Sequence, residues 1–300
     1  MRILITGKGS YIGTNIKSYL ESFGHTAYEV DTVSDEWRNA DFSRYDSVIH
    51  VAAIVHQNAK DASDELFNAV NTELPVKIAR LAKESGVSQF VFLSTMGVYG
   101  VGKTLSASDS VIKSDTPLNA VGGYGGSKLE AEKQLRALED DTFRLAIVRP
   151  PNVYGPGCGG NYIPLFRKLA LMQFICPYAF TEIRQSMLYI DNLSELVRLI
   201  VENSSSGVFL PQDDVAPNTV EMIHTIRSVF RKKTHDSGFL GWFVKVFRRL
   251  SIIQKIYGGV MYDTAVSGCF DNKYQIVSFK QGMQKTFCGQ PTVKKPQESE

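Results

Sequence analysis

The sequence has few cysteines, and nothing in their arrangement suggests a metal site. The four cysteines, Cys158, Cys176, Cys269 and Cys288, form no C-x-x-C pair and show no metal-ligand spacing. We therefore expect no bound metal, and we expect the protein to work in a reducing cytoplasm. No signal peptide precedes the first apolar run, "RILIT", which agrees with a cytoplasmic location.

Long apolar runs and an excess of one charge are also missing. A membrane-spanning helix needs about 18 or more consecutive apolar residues, and because the chain has no such stretch we expect no integral membrane segment. The 33 Lys and Arg residues nearly balance the 31 Asp and Glu residues, which argues against a nucleic-acid partner. Internal repeats and low-complexity segments are absent as well. The 300 residues suffice for one large domain and a smaller lobe.

Short apolar runs alternate with amphipathic stretches in the first half of the chain. Strands buried on both faces are apolar throughout, and this pattern predicts strands at "RILIT" (2–6), "AYEV" (27–30), "SVIHV" (47–51), "FVFLS" (90–94) and "RLAIV" (144–148). The amphipathic stretches at 11–23, 64–85 and 123–139 predict helices between them. Such alternation is typical of right-handed β-α-β crossovers, so it predicts an α/β fold with a Rossmann-like, doubly wound parallel sheet.

The alternation ends after Arg149, where "RPPNVYGPGCGG" is dense in proline and glycine. We assign residues 1–152 to the sheet domain, to which later segments return. Residues 153–288 are assigned mainly to a smaller, mixed α/β lobe that binds the substrate. The polar, proline-bearing residues 289–300 predict a disordered tail.

The stretch "ITGKGSYIG" (5–13) lies between a predicted strand and a predicted helix, which is the context of a loop that binds a dinucleotide pyrophosphate. Gly7 would form the tight turn, Gly9 would let the backbone approach phosphate, and Gly13 would allow close contact between helix and strand. The usual pattern is G-x-G-x-x-G, and Ser10 stands where it requires glycine. The alternative interpretation is an ordinary strand–helix turn.

Asp31 ends the second predicted strand, 18 residues after Gly13. A carboxylate at such a strand end accepts hydrogen bonds from the adenosine ribose, and it repels the 2′-phosphate of NADP. Asp31 therefore favours a cofactor loop, with NAD as the cofactor. Lys8 is a counter-signal, because a lysine in this loop could bind that phosphate.

The motif "YGGSK" places Tyr124 and Lys128 four residues apart at the start of a predicted helix, so their side chains share one face. Tyrosine is a poor base at neutral pH, and a nearby ammonium is expected to lower its pKa. Ser94 and Thr95 follow a strand, at the sheet edge where α/β folds bind ligands. Taken alone, the motif could be two surface residues of a helix; its position after the loop and Asp31 favours catalysis.

The stretches "TGKGSYIG", "FLSTMGVYG", "YGGSK" and "RPPNVYGP", in this order and spacing, resemble those of extended short-chain dehydrogenases/reductases. The resemblance is closest to the NAD-dependent nucleotide-sugar epimerase/dehydratase branch, particularly the UDP-hexose 4-epimerases. It implies that residues 1–152 bind NAD and that Tyr124 is the catalytic base. It also implies that Lys128 assists this base and holds the nicotinamide ribose, and that Thr95 binds the reacting sugar hydroxyl.

The same resemblance assigns the remaining site residues. It implies cofactor contacts for Gly7, Gly9, Ser10, Tyr11, Ile12, Gly13, Asp31, Asp41, Phe42, Ala52 and Ala53. It implies further substrate contacts for Asn152 and for Arg184, which is expected to clamp the nucleotide diphosphate. The alternatives are an Asx-turn at Asn152 and a solvated surface charge at Arg184.

The resemblance also bears on assembly and on one histidine. Members of the family dimerise through a helix pair that corresponds to 64–85 and 123–139, so a homodimer is expected. His56 lies just past the third predicted strand. We interpret it as a buried, hydrogen-bonded histidine rather than a sugar contact.

The residues after Thr95 indicate which reaction occurs. Dehydratases of the family carry an Asp-Glu pair there, because expelling water needs an acid and a base; this chain has Met96 and Gly97, so dehydration is disfavoured. Two reactions remain: epimerisation at C4 of a UDP-hexose (glucose/galactose or the N-acetylated pair) through a transient 4-keto sugar, and NAD(P)H-dependent reduction of a UDP-4-keto-6-deoxyhexose. The NAD preference favours the epimerase, as a source of precursors for surface polysaccharide. A non-catalytic, NAD(H)-sensing relative ranks lowest, because Tyr124 and Lys128 are both present.

The segment "GFLGWFVKVFRRLSIIQKIYGGVMY" (238–262) is unusually apolar, with interspersed basic residues Lys245, Arg248, Arg249 and Lys255. The favoured interpretation is that it packs into the protein, where it would cover the nucleotide pocket. The alternative is weak peripheral contact with an anionic membrane.

Overall fold

The computed structural model describes residues 1–55, 63–172 and 175–288. His56 and the predicted tail at 289–300 lie outside these residues. None of the helices in the described part of the chain is long and apolar enough to cross a membrane.

The described residues form twelve short strands and ten α-helices. The strands are β1 (Arg2–Thr6), β2 (Thr26–Val30), β3 (Ser47–His50), β4 (Gln89–Leu93), β5 (Val111–Ile112), β6 (Arg144–Val148), β7 (Asn152–Tyr154), β8 (Ile175–Pro177), β9 (Met187–Tyr189), β10 (Gly207–Phe209), β11 (His235–Ser237) and β12 (Met261–Tyr262). The helices are α1 (Tyr11–Ser22), α2 (Asp64–Phe67), α3 (Leu74–Glu84), α4 (Gly123–Arg136), α5 (Tyr162–Met172), α6 (Ile190–Glu202), α7 (Thr219–Val229), α8 (Gly238–Val246), α9 (Ser251–Tyr257) and α10 (Phe279–Cys288).

Six strands form a parallel sheet in the order β10-β6-β4-β3-β1-β2, and the predicted Rossmann-like fold is confirmed. Successive side chains of a strand point to opposite faces, and here both faces are covered. Ile3 and Ile5 pack in one core cluster with residues of α1 and α6, while Leu4 packs in a second cluster with residues of α3 and α4. This double cover explains why the central strands β1, β3, β4 and β6 are largely apolar, whereas the edge strand β2 has the exposed Tyr28.

The chain changes direction across the sheet between β1 and β3. Strand β2 pairs with one side of β1, and the next strand, β3, pairs with the other. In an open α/β sheet, ligands bind in the crevice beyond the carboxyl ends of the strands at such a switch point. The loops that follow β1 and β3, which carry Gly7 and Ala52, therefore border the expected binding crevice.

The helix predicted over 64–85 is interrupted. Residues Asn68–Glu73 form a π-helical turn between α2 and α3. Pro75 lies at the start of α3 and cannot donate a backbone hydrogen bond, and its ring disfavours the regular helix before it. The wider turn buries Asn71, whose amide bonds the backbone N–H of Ile54 at 2.9 Å and the Ser127 hydroxyl at 3.1 Å. It thus links the loop after β3 to α4.

The lobe is tied to the sheet domain by small strand pairs. Strand β12 pairs with β5 from the first half of the chain, and β7 pairs with β9. Strand β10, although it lies beyond residue 153, is the edge strand of the main sheet. The predicted division at residues 152 and 153 stays a prediction, and β10 and β12 from beyond it pair with strands of the first half of the chain.

The segment 238–262 is only partly covered. Gly241 lies so close to the lobe that an added Cβ would be 2.1 Å from the Tyr178 carbonyl oxygen, and Tyr257 is buried. The opposite side, with Phe239 and Trp242, is exposed. The favoured prediction, that the segment packs into the protein, is therefore right for one side and wrong for the other, because the lobe covers only the inner side.

A buried carboxyl, Asp213, joins β7, β9 and α6. It accepts hydrogen bonds from the Tyr154 hydroxyl at 2.8 Å, the Tyr189 backbone N–H at 2.9 Å and the Asn192 amide at 2.8 Å. Asn192 in turn bonds both backbone groups of Val277. Burial nevertheless raises the pKa of Asp213 from 3.8 to about 7, since removal from water disfavours the charged form.

This raised pKa predicts a dependence of stability on pH. A carboxyl whose pKa is higher in the folded state binds its proton more tightly there, so its stabilising contribution is complete below the ordinary pKa and is lost as the pH rises through about 7. Between about pH 5 and about pH 8, the wild type should lose stability relative to Asp213→Asn, on the order of 1 kcal/mol per pH unit. Urea denaturation at both pH values measures this difference.

The matched control is Asp271→Asn, whose side chain is 91% exposed. It should leave the pH dependence of the wild type unchanged. A constant difference in unfolding free energy between wild type and Asp213→Asn across the pH range would contradict the assignment.

Candidate active site

A cavity of about 380 Å³ opens at the carboxyl edge of the sheet. Its lining comes from α1, α4 and the ends of β3, β4 and β6, and consists of Ile12, Val51, Ala53, Val55, Leu93, Ser94, Thr95, Tyr124, Lys128, Pro150, Pro151, Asn152 and Val153. Six of these residues were proposed from the sequence as cofactor, catalytic or substrate residues. The fold thus brings them together from five separate segments.

The first turns of α4 present Tyr124 and Lys128 on the same face of the helix. Helix α4 approaches the turn after β4 closely: a Cβ on Gly125 would be 2.8 Å from the Gly97 carbonyl oxygen. Only glycine allows this contact, which explains a glycine directly after the tyrosine in "YGGSK". The close packing places Tyr124 beside Thr95.

Thr95 begins the short turn after β4. Its hydroxyl accepts a hydrogen bond from the Gly97 N–H at 3.1 Å, and its side chain also hydrogen-bonds Tyr124. A hydroxyl and a phenol side by side can bind one oxygen of a substrate between them. This arrangement agrees with the roles that the resemblance implies for both residues.

The pKa of Tyr124 is raised to about 12, because burial disfavours the phenolate more than the bond from Thr95 favours it. We expected Lys128 to lower this pKa, and for the protein by itself that expectation is wrong. The Lys128 ammonium donates to the Leu93 carbonyl at 2.9 Å and lies 4.5 Å from the centre of the Phe92 ring. Burial lowers its own pKa to about 7, against the opposing effect of Glu132.

A buried ion pair that the sequence did not reveal lies beneath the cavity. Arg149 forms an ion pair with Glu132, and its Nε donates to Glu132 Oε1 at 3.0 Å. Another guanidinium nitrogen of Arg149 donates to the Tyr99 hydroxyl at 3.0 Å. Ser94 donates to the same carboxylate, which gives its hydroxyl a structural role. One signal was available: Glu132 follows Lys128 by one helical turn, on the face that carries Tyr124.

The glycine loop has the backbone that a pyrophosphate site requires. Gly7 has φ +95°, and a Cβ there would be 3.0 Å from the Ala52 backbone. Gly13 is also crowded, since its Cβ would be 2.7 Å from the Ser10 hydroxyl. Ser10 itself has φ −69° and caps α1 by accepting from the Gly13 N–H at 3.2 Å. Position 10 therefore does not require glycine, although the usual pattern has glycine there.

The other residues of the loop have different surroundings. The Gly9 N–H donates to the Glu29 carboxylate at 3.1 Å. Ile12 lines the cavity. The Tyr11 hydroxyl is buried and has no hydrogen-bond partner among the described residues; it lies against Gly155, where a Cβ would be 2.6 Å away.

Asp31 lies at the end of β2 and is solvent-accessible. It accepts from the Val33 N–H at 2.9 Å and from the Ser34 N–H at 3.3 Å, and these bonds lower its pKa. The carboxylate therefore stays ionised at neutral pH. The residues after Asp31 line another cavity, of about 210 Å³. Its lining includes Trp37 and Arg38, and the Arg38 guanidinium lies 4.5 Å from the centre of the Trp37 ring.

The remaining cofactor residues fall into two groups. Ala52 and Ala53 follow β3, where Ala52 contacts Gly7 and Ala53 lines the cavity. Asp41 caps a short turn by bonding the Ser43 backbone, and Phe42 is buried in the core with Leu4 and Val30. The contact of Asp41 and Phe42 with adenine stays a prediction.

The two further residues that were predicted to contact the substrate, Asn152 and Arg184, line different cavities. Asn152 lines the cavity, and among the described residues its side chain forms no hydrogen bond of an Asx-turn. Arg184 lines two other cavities and pairs with Glu221 at 3.1 and 3.2 Å. It also donates to the Ala216 carbonyl at 2.8 Å. Binding of a nucleotide diphosphate by Arg184 stays a prediction.

One group of possible metal ligands was not visible in the cysteine spacing. The ligand atoms of Cys176, His224 and Asp236 lie within 4.8 Å of one another. They come from β8, α7 and β11, and His224 is hydrogen-bonded to Asp236 at 2.7 Å. This bond gives the His–Asp pair a structural role without an ion.

Residues 3–208 match the profile of the NAD dependent epimerase/dehydratase family. The chain belongs to this family. Membership confirms the resemblance drawn from the motifs, and it confirms NAD as the cofactor at the level of the family. The close backbone approach of Gly7 to Ala52 and the cap on α1 fit a loop that binds this dinucleotide.

Relatives of the chain include nucleotide-sugar and lipid-linked sugar epimerases. A UDP-glucose 4-epimerase of Vibrio cholerae is 30% identical over 288 residues, which cover 87% of each chain. The N-acetyl-alpha-D-glucosaminyl-diphospho-ditrans,octacis-undecaprenol 4-epimerase of Escherichia coli O157:H7 is 24% identical over 281 residues, or 85% of this chain and 81% of that one. The structure of a UDP-N-acetylglucosamine 4-epimerase from Bacillus cereus shares the fold, with a TM-score of 0.72 at 18% identity, over 95% of this chain and 97% of the other.

The glycine loop gives a direct test of the cofactor site. Gly7→Ala should weaken NAD binding at least tenfold, because alanine disfavours the positive φ and its Cβ would press on Ala52. Fluorescence titration with NADH measures the change. Gly102→Ala is the matched control, since nothing lies within 4 Å of a Cβ there, and it should bind like the wild type. Equal affinities for the two variants would place the cofactor elsewhere.

Cofactor choice tests Asp31. The wild type should bind NAD(H) more tightly than NADP(H), and Asp31→Ala should narrow the ratio of the two affinities roughly fivefold, since it removes the carboxylate that repels the 2′-phosphate. Titrations of both cofactors at one ionic strength measure the ratio. Tighter binding of NADPH than of NADH to the wild type would indicate that Lys8 binds the 2′-phosphate. In that case Lys8→Ala should lose the preference for NADPH.

Proposed function

We propose that the protein catalyses the NAD-dependent epimerisation of a UDP-hexose at C4, through a transient 4-keto sugar. The observation that carries this proposal is the single cavity that Thr95, Tyr124, Lys128 and Asn152 line at the switch point of the sheet. These are the groups that an alcohol oxidation needs: a hydroxyl to hold the reacting oxygen, a base and a cation. The relatives named above support the choice of a 4-epimerase.

The chemistry divides between the cofactor and the chain. When bound, NAD would supply the hydride acceptor, and then the hydride donor, that oxidation and re-reduction at C4 require. Thr95 holds the O4 hydroxyl, and Tyr124 takes its proton and later gives it back. For this step the pKa of Tyr124 must fall from about 12, so the phenol needs positive charge beside it. Lys128, in the same cavity, is the cation that this chain provides.

Dehydration does not fit the lining of the cavity. Among the described residues the lining contains no carboxylate, and Met96 and Gly97 occupy the turn after Thr95. An enzyme that expels water from C5 and C6 needs an acid and a base there. Reduction of a UDP-4-keto-6-deoxyhexose uses the same three groups and remains the alternative. A non-catalytic, NAD(H)-sensing role is disfavoured because all three groups are in place.

Two further parts of the proposal concern assembly and physiological role. The helices α3 and α4, which correspond to the dimerising pair of the family, lie on one face of the sheet. We propose a homodimer through these helices. We also propose that the protein works in the cytoplasm and supplies precursors for surface polysaccharide.

A second candidate substrate differs in the group attached to the sugar diphosphate. The Escherichia coli relative is a 4-epimerase for a sugar carried on undecaprenyl diphosphate. The exposed apolar side of 238–262 favours such a lipid-linked substrate, because a protein that takes it must approach a membrane.

The reaction is tested by NMR on a panel of UDP-glucose, UDP-galactose, both N-acetylated forms and a polyprenyl-diphosphate sugar. At least one sugar should be interconverted with its C4 epimer without net consumption of NADH. Tyr124→Phe should lower the rate by roughly 10²-fold or more, since it removes the base. Tyr28→Phe is the matched control, because Tyr28 is exposed on β2, and it should keep the rate of the wild type.

The same assay separates the alternatives. Stoichiometric oxidation of NADH or NADPH on a UDP-4-keto sugar, without epimerisation of any sugar in the panel, would establish the reductase. Cofactor binding without turnover of any substrate would favour the sensing role.

A further inference from the structure

The outer side of α8, α9 and the residues between them forms a continuous apolar surface. Six large apolar side chains within 14 residues are each more than half exposed: Phe239, Trp242, Val246, Phe247, Leu250 and Ile252. We call these six residues the apolar face. Their exposed area is roughly 600 Å², at the upper end for the largest apolar patch on a monomeric protein. An apolar patch of this size on a monomer is often a binding surface.

The apolar face is presented by a rigid base. On its inner side Gly241 is pressed against the Tyr178 carbonyl, and the Tyr257 hydroxyl donates to the Pro177 carbonyl at 3.2 Å. The Thr219 hydroxyl donates to the Ile256 carbonyl at 2.6 Å. Ile253 and Ile256 complete the inner packing. The exposed side chains therefore cannot turn inward without breaking these contacts.

Positive charge is concentrated on the same segment. Lys245, Arg248, Arg249 and Lys255 are all exposed, and no acidic residue occurs in 238–262. Of the 33 basic residues of the chain, the 29 outside this segment are outnumbered by the 31 acidic residues. The segment that carries the apolar face therefore has four positive charges and no negative one, while the rest of the chain carries slightly more acidic than basic residues.

Apolar aromatic groups with basic neighbours fit the interface of an anionic bilayer. Trp and Phe side chains enter the boundary between headgroups and acyl chains, while Lys and Arg bind lipid phosphates. The core of a protein–protein interface, in contrast, is depleted in lysine and in charge generally. We propose that the apolar face is a membrane-docking surface, by which the protein binds an anionic lipid bilayer without crossing it.

Docking would bring the lobe close to lipid headgroups. The chain that leaves α9 packs against Arg184, where a Cβ on Gly259 would be 2.2 Å from the arginine carbonyl oxygen. Arg184 is the residue expected to bind a diphosphate. The docking surface stands on its own observations; the suggestion that it presents a lipid-linked diphosphate to the lobe rests on the proposed function.

The test is flotation of the full-length protein with vesicles of phosphatidylcholine, with and without about 30% phosphatidylglycerol. The protein should float with the anionic vesicles, only weakly with the neutral ones, and less at high salt. Trp242→Ser/Phe247→Ser should reduce binding roughly tenfold or more, because both side chains are apolar anchors. Arg248→Gln/Arg249→Gln should reduce binding to anionic vesicles only.

Met172→Ser/Ile276→Ser is the matched control, since both side chains are exposed elsewhere in the lobe, and it should float like the wild type. Trp242 fluorescence gives a second readout in a Trp37→Phe background, because Trp37 is the other tryptophan and is buried. A blue shift on adding anionic vesicles supports insertion. Circular dichroism and turnover of a soluble UDP-sugar show whether each variant is folded and active.

Two results would overturn the proposal. One is a wild type that floats with neither kind of vesicle although it is folded and active. The other is an oligomer in light scattering that Trp242→Ser/Phe247→Ser dissociates, which would make the apolar face an interface between copies of the chain. If the wild type floats with anionic vesicles but neither it nor any variant turns over a substrate, the proposed function is contradicted and the docking surface remains supported.

Discussion

The buried ion pair between Glu132 and Arg149 is the interaction on which the candidate active site depends. It joins α4, which carries Tyr124 and Lys128, to the end of β6, directly before the two prolines of the cavity wall. Removing one partner of such a pair leaves a buried charge unpaired, at a cost of about 3–5 kcal/mol. Here the lone pairs and donors are also satisfied, because Ser94 bonds the carboxylate and the Tyr99 hydroxyl accepts from the guanidinium.

The same region carries the link to the lobe. The Tyr262 hydroxyl of β12 donates to the Arg149 carbonyl at 2.8 Å, and the Tyr262 N–H donates to the Ser186 hydroxyl at 2.9 Å. A shift of Arg149 would therefore move both α4, which carries Tyr124 and Lys128, and β12 of the lobe. This explains why a charged pair is kept in a buried position, where an apolar pair could give equal stability.

Burial also sets the protonation states of the site. It raises the pKa of Tyr124 to about 12 and lowers that of Lys128 to about 7, because removal from water disfavours the charged form of each group. A phenol in this state is a weak base, and it becomes an effective one only when positive charge is brought next to it. The proposed reaction therefore depends on positive charge beside Tyr124, from Lys128 and from the nicotinamide ring that bound NAD would supply.

The sequence by itself determined the central sheet, the glycine loop and the positions of Tyr124 and Lys128, the proposed catalytic pair. Strands buried on both faces must be apolar throughout, and a tight turn beside a neighbouring backbone must be glycine, as at Gly7; such requirements are local and can be read residue by residue. Only the tertiary structure decided the pairing of Glu132 with Arg149, the return of β10 to the sheet and the pKa directions, because these depend on burial and on contacts between distant segments. It also decided the state of 238–262, since an apolar helix has the same sequence pattern whether its outer face is covered or exposed.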